Sequence, residues 1–477
     1  MKRVVVLGAG PAGITAALKL SETGHEVTVI DRHEFVGGAA ASRPIDNGKY
    51  KMDFGPHAFH LRNPDVNKIL YDHYSGALHT KRRNERILVK GKLFRYPLEI
   101  MEVTRNLPLA LTVGMFLGLV QARIRLRTGF SGRTDTDFES WGLRRFGGPL
   151  YRFSCGAYTE KVWGTPARAL SYLLAEQKIK EIRLRDIARK LMGGRGEEHK
   201  RYWEEYVYPE DGIGVIFDNM QKRMEERGVR FLLGAELESC EEANRRVERI
   251  TVRAGGKSES LPADLVVSTV PLSHVANAFR NAGSSMALHG GFALKYRGLI
   301  LINMVIDRER VTPYDWVYML DPEFNCNRFT EQKNMGAQMI PPGKTVLCFE
   351  YSCDYDDERW NAPDEELKEK ALQDIDRIEM IDRAAVSGCY VSRLRDAYPM
   401  YRVNFEKNLE SVIDQLATTS NFYSLGRQGL FLNTDIHDSM EMAMNAAGEI
   451  ASGRSPADWY GTAWQYLTGR IGMKRKA

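Results

Sequence analysis

Cysteine is scarce in this 477-residue chain, and the six present (Cys155, Cys240, Cys326, Cys348, Cys353, Cys389) form no CxxC pair and no His-linked metal spacing. That excludes the common zinc frameworks and gives no reason to expect a disulfide scaffold; reduced thiols in a cytoplasmic protein fit the usage. Low-complexity tracts and tandem repeats are absent, so the whole chain is expected to fold. Neither sign of charge dominates. The 67 basic and 62 acidic residues leave a formal charge of +5, too slight to suggest a nucleic-acid partner. No P-loop, HExxH or local Ser-His-Asp pattern is found. No apolar run reaches the ~20 residues of a spanning helix. The longest, Leu107 to Val120, is followed by Arg123, Arg125 and Arg127, and reads either as a buried helix or as one lying on a membrane surface with arginines at the headgroups. The first strand signal begins at Arg3 and leaves no room for a cleavable leader. The expectation is therefore a cytoplasmic protein, with peripheral membrane contact as the alternative. Nothing in the sequence sets an oligomeric state.

What is present begins at the N-terminus. Val4 to Leu7 run into Gly8-Ala9-Gly10-Pro11-Ala12-Gly13 and then into an apolar-periodic segment through Ala16, Ala17, Leu18 and Leu20. In this strand, turn and helix, Gly8 permits the turn, Gly10 admits a diphosphate to the backbone, and Gly13 lets helix and strand pack closely. The phosphates would face free N–H groups at the positive end of the helix. A second strand, Glu26 to Ile30, ends in Asp31, eighteen positions after Gly13 and followed by Arg32. A carboxylate there can accept from ribose hydroxyls. At this length two domains are expected.

After Asp31 come Gly37-Gly38-Ala39, Ser42-Arg43 and Met52-Asp53-Phe54-Gly55-Pro56-His57. Here the sequence resembles the flavoprotein superfamily of amine oxidases, protoporphyrinogen oxidase, phytoene desaturases and UDP-galactopyranose mutase. The resemblance implies FAD, with the double glycine near its diphosphate and the following segment beneath the isoalloxazine. Many members place Arg after the double glycine; this chain has Ala39, and Arg43 is the nearest substitute. Tyr208-Pro209-Glu-Asp-Gly212-Ile-Gly214, the amphipathic segment Val215 to Arg227, a strand pair spanning Val229 to Arg253 and the Ala263 to Pro271 strand and turn resemble the superfamily's return to the FAD domain. By resemblance, backbone near Leu237 meets adenine. Gly426-Arg427 follow a strand, and Asp435, Ser439 and Met440 open a helix aimed at the pyrimidine end of the flavin, with Asp438 or Ser439 as its cap.

The implied fold is α/β: a Rossmann-like, two-dinucleotide-binding-domain FAD fold from residues 1–95, 205–290 and 390–460, with an inserted mixed α+β substrate domain from 96–204 and 291–389 and a C-terminal tail of 461–477. FAD is expected to be held non-covalently. Phe94 to Leu98 and Tyr158 to Pro166 resemble protoporphyrinogen-oxidase-like proteins, which implies an oxidoreductase passing a hydride from substrate carbon to flavin N5. Gly55-Pro56-His57-Ala-Phe59-His60, Lys295-Tyr296-Arg297-Gly-Leu299 and Ala397-Tyr398-Pro399 with Gly426-Arg427 resemble mutase segments, which implies the alternative, a redox-neutral sugar-nucleotide mutase. A non-catalytic flavin-binding subunit is a third reading. The substrate is a small molecule, either anionic and clamped by Arg297 and Arg427 or lipophilic. His57 is the candidate polar group at the flavin, Tyr398 a candidate substrate contact, and Lys295 the nominee for the lysine of an amine oxidase.

Overall fold

The computed structural model describes residues 1–96, 98–128, 135–179, 205–286 and 288–473. The expected second-domain stretch 180–204 and the last four residues of the expected tail lie outside these. Arg3–Leu7 is buried from its second residue onward, as a strand covered on both faces must be. It lies at the centre of a parallel five-stranded sheet ordered Phe422–Ser424, Leu265–Ser268, Arg3–Leu7, Glu26–Asp31 and Arg230–Leu233. The expected segment Val215 to Arg227 is a helix over Val215–Glu225. Where a strand pair was expected over Val229 to Arg253 there are three strands, Arg230–Leu233 in the parallel sheet and Ala235–Ala243 and Arg246–Ala254 in an antiparallel sheet that an unexpected strand, Lys257–Pro262, completes.

Two helices reach the carboxyl ends of the parallel strands. Pro11–Glu22 buries Ala12, Gly13, Ala16 and Ala17, and Ile436–Ala451 buries Ala443, Ala446 and Ala447. They pack on one another, and the small residues on both allow a close approach. This pairing brings two helix N-termini to one place.

The second sheet is mixed and seven-stranded, ordered Val386–Pro399, Tyr296–Ile306, Thr345–Asp354, Arg328–Glu331, Trp316–Met319, Glu85–Val89 and Lys92–Arg95. Its two ends correct the expected boundaries. Glu85–Val89, Lys92–Arg95 and residues 390–399 of Val386–Pro399, all expected in the FAD domain, are in strands of this sheet, not of the dinucleotide sheet, because their ladder partners are Trp316–Met319, one another and Tyr296–Ile306.

The C-terminal tail is also corrected. Pro456–Ile471 is a helix opened by a Ser455/Asp458 capping box, and Trp459, Tyr460, Ala463, Leu467 and Ile471 form its buried stripe. It clips the edge strand of the parallel sheet: Trp459 Nε1 donates to Ser424 O at 2.9 Å, and Ser424 N donates to the Tyr460 hydroxyl at 3.0 Å. An exposed strand edge is thereby satisfied. Trp459→Ala is expected to destabilise the protein by about 3–5 kcal/mol in urea denaturation; a loss under about 1 kcal/mol would show the helix to be dispensable.

Candidate functional site

A cavity enclosing about 1220 Å³, its open mouth included, lies at the carboxyl ends of the parallel strands. Gly8, Gly10, Pro11, Ala12, Asp31, Arg32, Gly38, Ala39, His57, Leu237, Arg427, Asp435 and Ser439 of the expected site line it. The turn is shaped by sterics. Gly8 has φ +99°, and a Cβ there would sit 2.2 Å from Thr269 Oγ1; a Cβ at Gly13 would sit 1.8 Å from Gly8 O. At Gly10, by contrast, a Cβ would meet nothing within 4 Å. Gly8 and Gly13 are therefore demanded by the fold, while Gly10 opens onto the cavity. The helix that follows has no side-chain cap at Gly10, so its first N–H groups face the cavity without a side-chain acceptor, which suits an anionic group.

Asp31 stands at one end. It accepts from Ala9 N at 2.7 Å, His33 N at 2.8 Å and His33 Nδ1 at 2.9 Å. Burial alone would raise its pKa, but the bonds from His33 and Ala9 outweigh it, so the carboxyl stays ionised below its ordinary value. Arg32 crosses to Asp396 Oδ2 at 2.9 Å and ties this end to the second sheet. Gly37, with φ +93°, donates to Ala9 O at 2.8 Å, and Gly38 lies against Gly10. Leu237 lines the cavity from a strand whose register shifts between Leu237 and Ser239.

At the other end His57 faces Arg427. Burial, then the Arg427 and Arg328 charges, push His57 down to about 3, so the ring is neutral, and its Nδ1 has no hydrogen-bond partner among the described residues. Arg427 donates to Thr434 O through Nε at 2.9 Å and again through its terminal nitrogen, and lies 5.6 Å over the Tyr398 ring. Tyr398 also meets Trp163 edge-on at 6.4 Å. The helix Ile436–Ala451 is capped by Asp435 in a box with Asp438, not by Asp438 or Ser439 as expected. Its N-terminus thus carries its own carboxylates. Ser439 Oγ bonds Thr434 Oγ1 at 2.8 Å, and Met440 is buried behind the wall.

Several expectations fail for identifiable reasons. Arg297 is buried, donates to Val162 O at 3.0 Å, pairs with Asp354, and blocks any side chain at Gly164. It is a structural clamp away from the cavity lining. Ser42 is also elsewhere: its hydroxyl donates to Asp53 and accepts from Gly214 N at 2.7 Å. Gly13, Gly37, Gly55, Pro56, Gly426 and Met440 shape the walls without lining the cavity. Gly55, with φ +87°, would place a Cβ 3.2 Å from Glu350, and Gly426 approaches Ala12. Arg43 does not substitute for the missing arginine, since it binds Asp218 and Val36 O at 3.0 Å and covers Phe35. Lys295 is exposed and outside the cavity lining.

Sequence reasoning missed Lys178, Arg328 and Asp396. Arg328 forms a two-pronged bridge to Glu350, both contacts at 2.8 Å, beside Tyr158, Tyr318 and Tyr398. Lys178, at the end of the helix Tyr172–Lys178, lies outside the cavity lining; desolvation first, then Arg427, push it down to about 8. Arg427, Arg328 and Lys178 outnumber Glu350 and Asp435 in this group. The only sequence signal was a lone cation at the end of a helix and another at the start of a strand.

The glycine geometry separates folding from cofactor binding. Gly10→Val is expected to keep the stability of flavin-free protein within about 1 kcal/mol while weakening flavin binding at least about ten-fold. Gly13→Val is expected to cost about 3 kcal/mol or more. Denaturation and flavin titration check both; equal flavin affinity for wild type and Gly10→Val would contradict the assignment.

A sequence model of the family described as flavin containing amine oxidoreductase matches residues 11–451. A probable UDP-galactopyranose mutase of Klebsiella pneumoniae is 26% identical over 170 residues, 34% of this chain and 41% of the relative. A neurosporene-forming phytoene desaturase of Rhodobacter capsulatus is 45% identical over 56 residues, 12% of this chain and 10% of the relative. The matched stretches thus span less than half the length of these curated relatives. Among solved structures, a reduced UDP-galactopyranose mutase superposes with TM-score 0.82 at 18% identity, covering 98% of both chains. A putative protoporphyrinogen oxidase of an Exiguobacterium species gives 0.71 at 18%, covering 95% of this chain and 99% of the other. These likenesses are of fold, and the family match spans nearly all of the sequence: the chain belongs to the flavin containing amine oxidoreductase family.

Proposed function

We propose that the cavity holds FAD non-covalently and that the enzyme rearranges an anionic, sugar-nucleotide-like substrate without net redox change. The bare glycine turn and uncapped helix N-terminus support the diphosphate end, with Asp31 at the adenosine ribose and Leu237 near the adenine. His57 and Arg427 then border the isoalloxazine end. Bound there, a flavin supplies a centre that can gain or lose an electron pair at N5.

The observation that carries the substrate reading is the surplus of positive charge beside His57. Arg427 and Lys178 offer donors to a phosphate, Arg328 is held rigid by Glu350, and Tyr158, Tyr318 and Tyr398 supply aromatic surface for a sugar or base. Neutral His57 can donate or accept one hydrogen bond without adding charge. The partial likeness to a probable UDP-galactopyranose mutase agrees with this. The second reading is hydride transfer from substrate carbon to flavin in a protoporphyrinogen-oxidase-like manner. It is favoured by the apolar exposed helix Leu109–Arg127, which suits a lipophilic substrate. The exposed position of Lys295 removes the support for amine oxidation.

Reduced enzyme incubated without oxygen with a panel of sugar nucleotides is expected to yield an isomer, seen by chromatography, with no oxidant consumed. Reduction of the oxidised enzyme by a lipophilic substrate, with no isomer formed, would establish the second reading instead. Arg427→Lys is expected to weaken sugar-nucleotide binding about ten-fold or more with flavin occupancy unchanged.

A pH profile tests the charge argument. Lys178 is protonated below about 8, so affinity for the anionic ligand is expected to fall as pH rises through that value. Lys178→Met is expected to remove this step. No step from His57 is expected between about pH 5 and 7, because its folded pKa lies near 3. A profile identical in wild type and Lys178→Met would contradict the role of the lysine.

A further inference from the structure

The helix Leu109–Arg127 inverts the usual rule for a surface helix. Its inner face buries Met115, Leu119 and Ala122, yet its outer face is also apolar: Leu109 is 75% exposed, Val113 44%, Phe116 52%, Leu117 60% and Ile124 57%. These positions follow the i, i+4, i+7, i+8 spacing of one helical stripe, so they form a continuous strip along the element. A helix apolar all round belongs in a core or a bilayer, and an exposed patch of this extent marks an interaction surface. Exposed Arg125 and Arg127 follow at the end of the strip.

By length and composition this helix meets the requirement for crossing a membrane, where the sequence alone counted the apolar run as too short. Its packing decides otherwise. A Cβ at Gly118 would lie 3.0 Å from Pro149 Cδ, and one at Gly147 would lie 2.3 Å from Gly118 O. The helix is thus pressed onto Phe138–Phe146 and Gly148–Tyr151 along its length. It cannot turn into a bilayer without tearing out Met115, which packs with Phe94, Phe153 and Leu320. An element held flat, apolar outward and basic at one end, matches the physics of a helix lying in the plane of a membrane surface.

We propose that the outer face of Leu109–Arg127 docks the protein on an anionic lipid bilayer, its leucines and Phe116 entering the acyl boundary and Arg125 and Arg127 meeting lipid phosphates. The charge at the end of the strip favours this partner over a second copy of the chain. A second copy of this helix, which carries no acidic residue, offers the two arginines no partner, whereas an acidic headgroup layer attracts both. The inner side of the helix adjoins the cluster on which Tyr158 and Tyr318 rest, so docking would hold these two tyrosines close behind the lipid face. The inference stands apart from the sugar-nucleotide reading and does not depend on it.

Flavin-loaded full-length protein sedimented with vesicles of phosphatidylcholine and phosphatidylglycerol tests the proposal, with pure phosphatidylcholine vesicles in parallel. Binding is expected to the anionic vesicles, to weaken with added salt, and to fall about ten-fold or more both in Leu117→Glu and in the double variant Arg125→Glu/Arg127→Glu. All these positions are exposed, so unchanged flavin occupancy and unfolding midpoint will show that the variants are folded. Absence of vesicle binding by wild type would overturn the proposal. So would a lipid-free dimer, seen by analytical ultracentrifugation, that Leu117→Glu dissolves while vesicle binding stays unchanged.

Discussion

One steric constraint organises this molecule: the turn after the first strand must present bare backbone, at Gly10, to a cavity. Gly8 and Gly13 are forced by their neighbours, since any side chain would strike Thr269 or the Gly8 carbonyl. A Cβ at Gly10 would meet nothing within 4 Å, and Gly10 lines the cavity, so its lack of a side chain leaves backbone open there. The uncapped helix behind it leaves donors and a positive dipole end there. The rest of the dinucleotide domain serves this arrangement. Gly37 fastens the next loop to Ala9, and Ile436–Ala451 braces the first helix.

The far end of the cavity is governed by charge. Arg427 is aimed by the Thr434 carbonyl rather than by an acid, so its positive charge is oriented without being neutralised. Arg328 is neutralised by Glu350 and acts mainly as a rigid wall. The same field, acting on a ring already desolvated, keeps His57 uncharged. Asp435 offsets part of the charge from the cap of the second helix. The dipole of that helix is thus blunted by its own first turn, which leaves cationic side chains as the main electrostatic feature around His57.

The part of the fold legible in the sequence was the part with local causes. The Gly8 to Gly13 turn and Asp31 follow from spacing, because a strand, a tight turn and a helix impose their requirements within a few residues. The C-terminal helix was equally legible, from the Ser455/Asp458 box and the stripe of Trp459, Ala463 and Leu467. The failures have distant causes. Arg297 carries the guanidinium an anion site needs, but Asp354 and Val162, far away in the chain, claim it. Ser42 follows the double glycine, but Gly214 and Asp53 turn it inward. Lys178 and Arg328 come within electrostatic reach of Arg427 and His57 only in the folded chain.

In the proposed binding mode a diphosphate and an adenosine ribose are gripped at the bare turn and at Asp31. Calorimetric titration of the flavin-free chain with FAD, FMN and riboflavin tests it most directly, because the three share the isoalloxazine and differ in what the turn and Asp31 would hold. FAD is expected to bind at one site on the order of a hundred-fold tighter than either of the others. Equal affinities for all three, or no binding of FAD, would contradict the account.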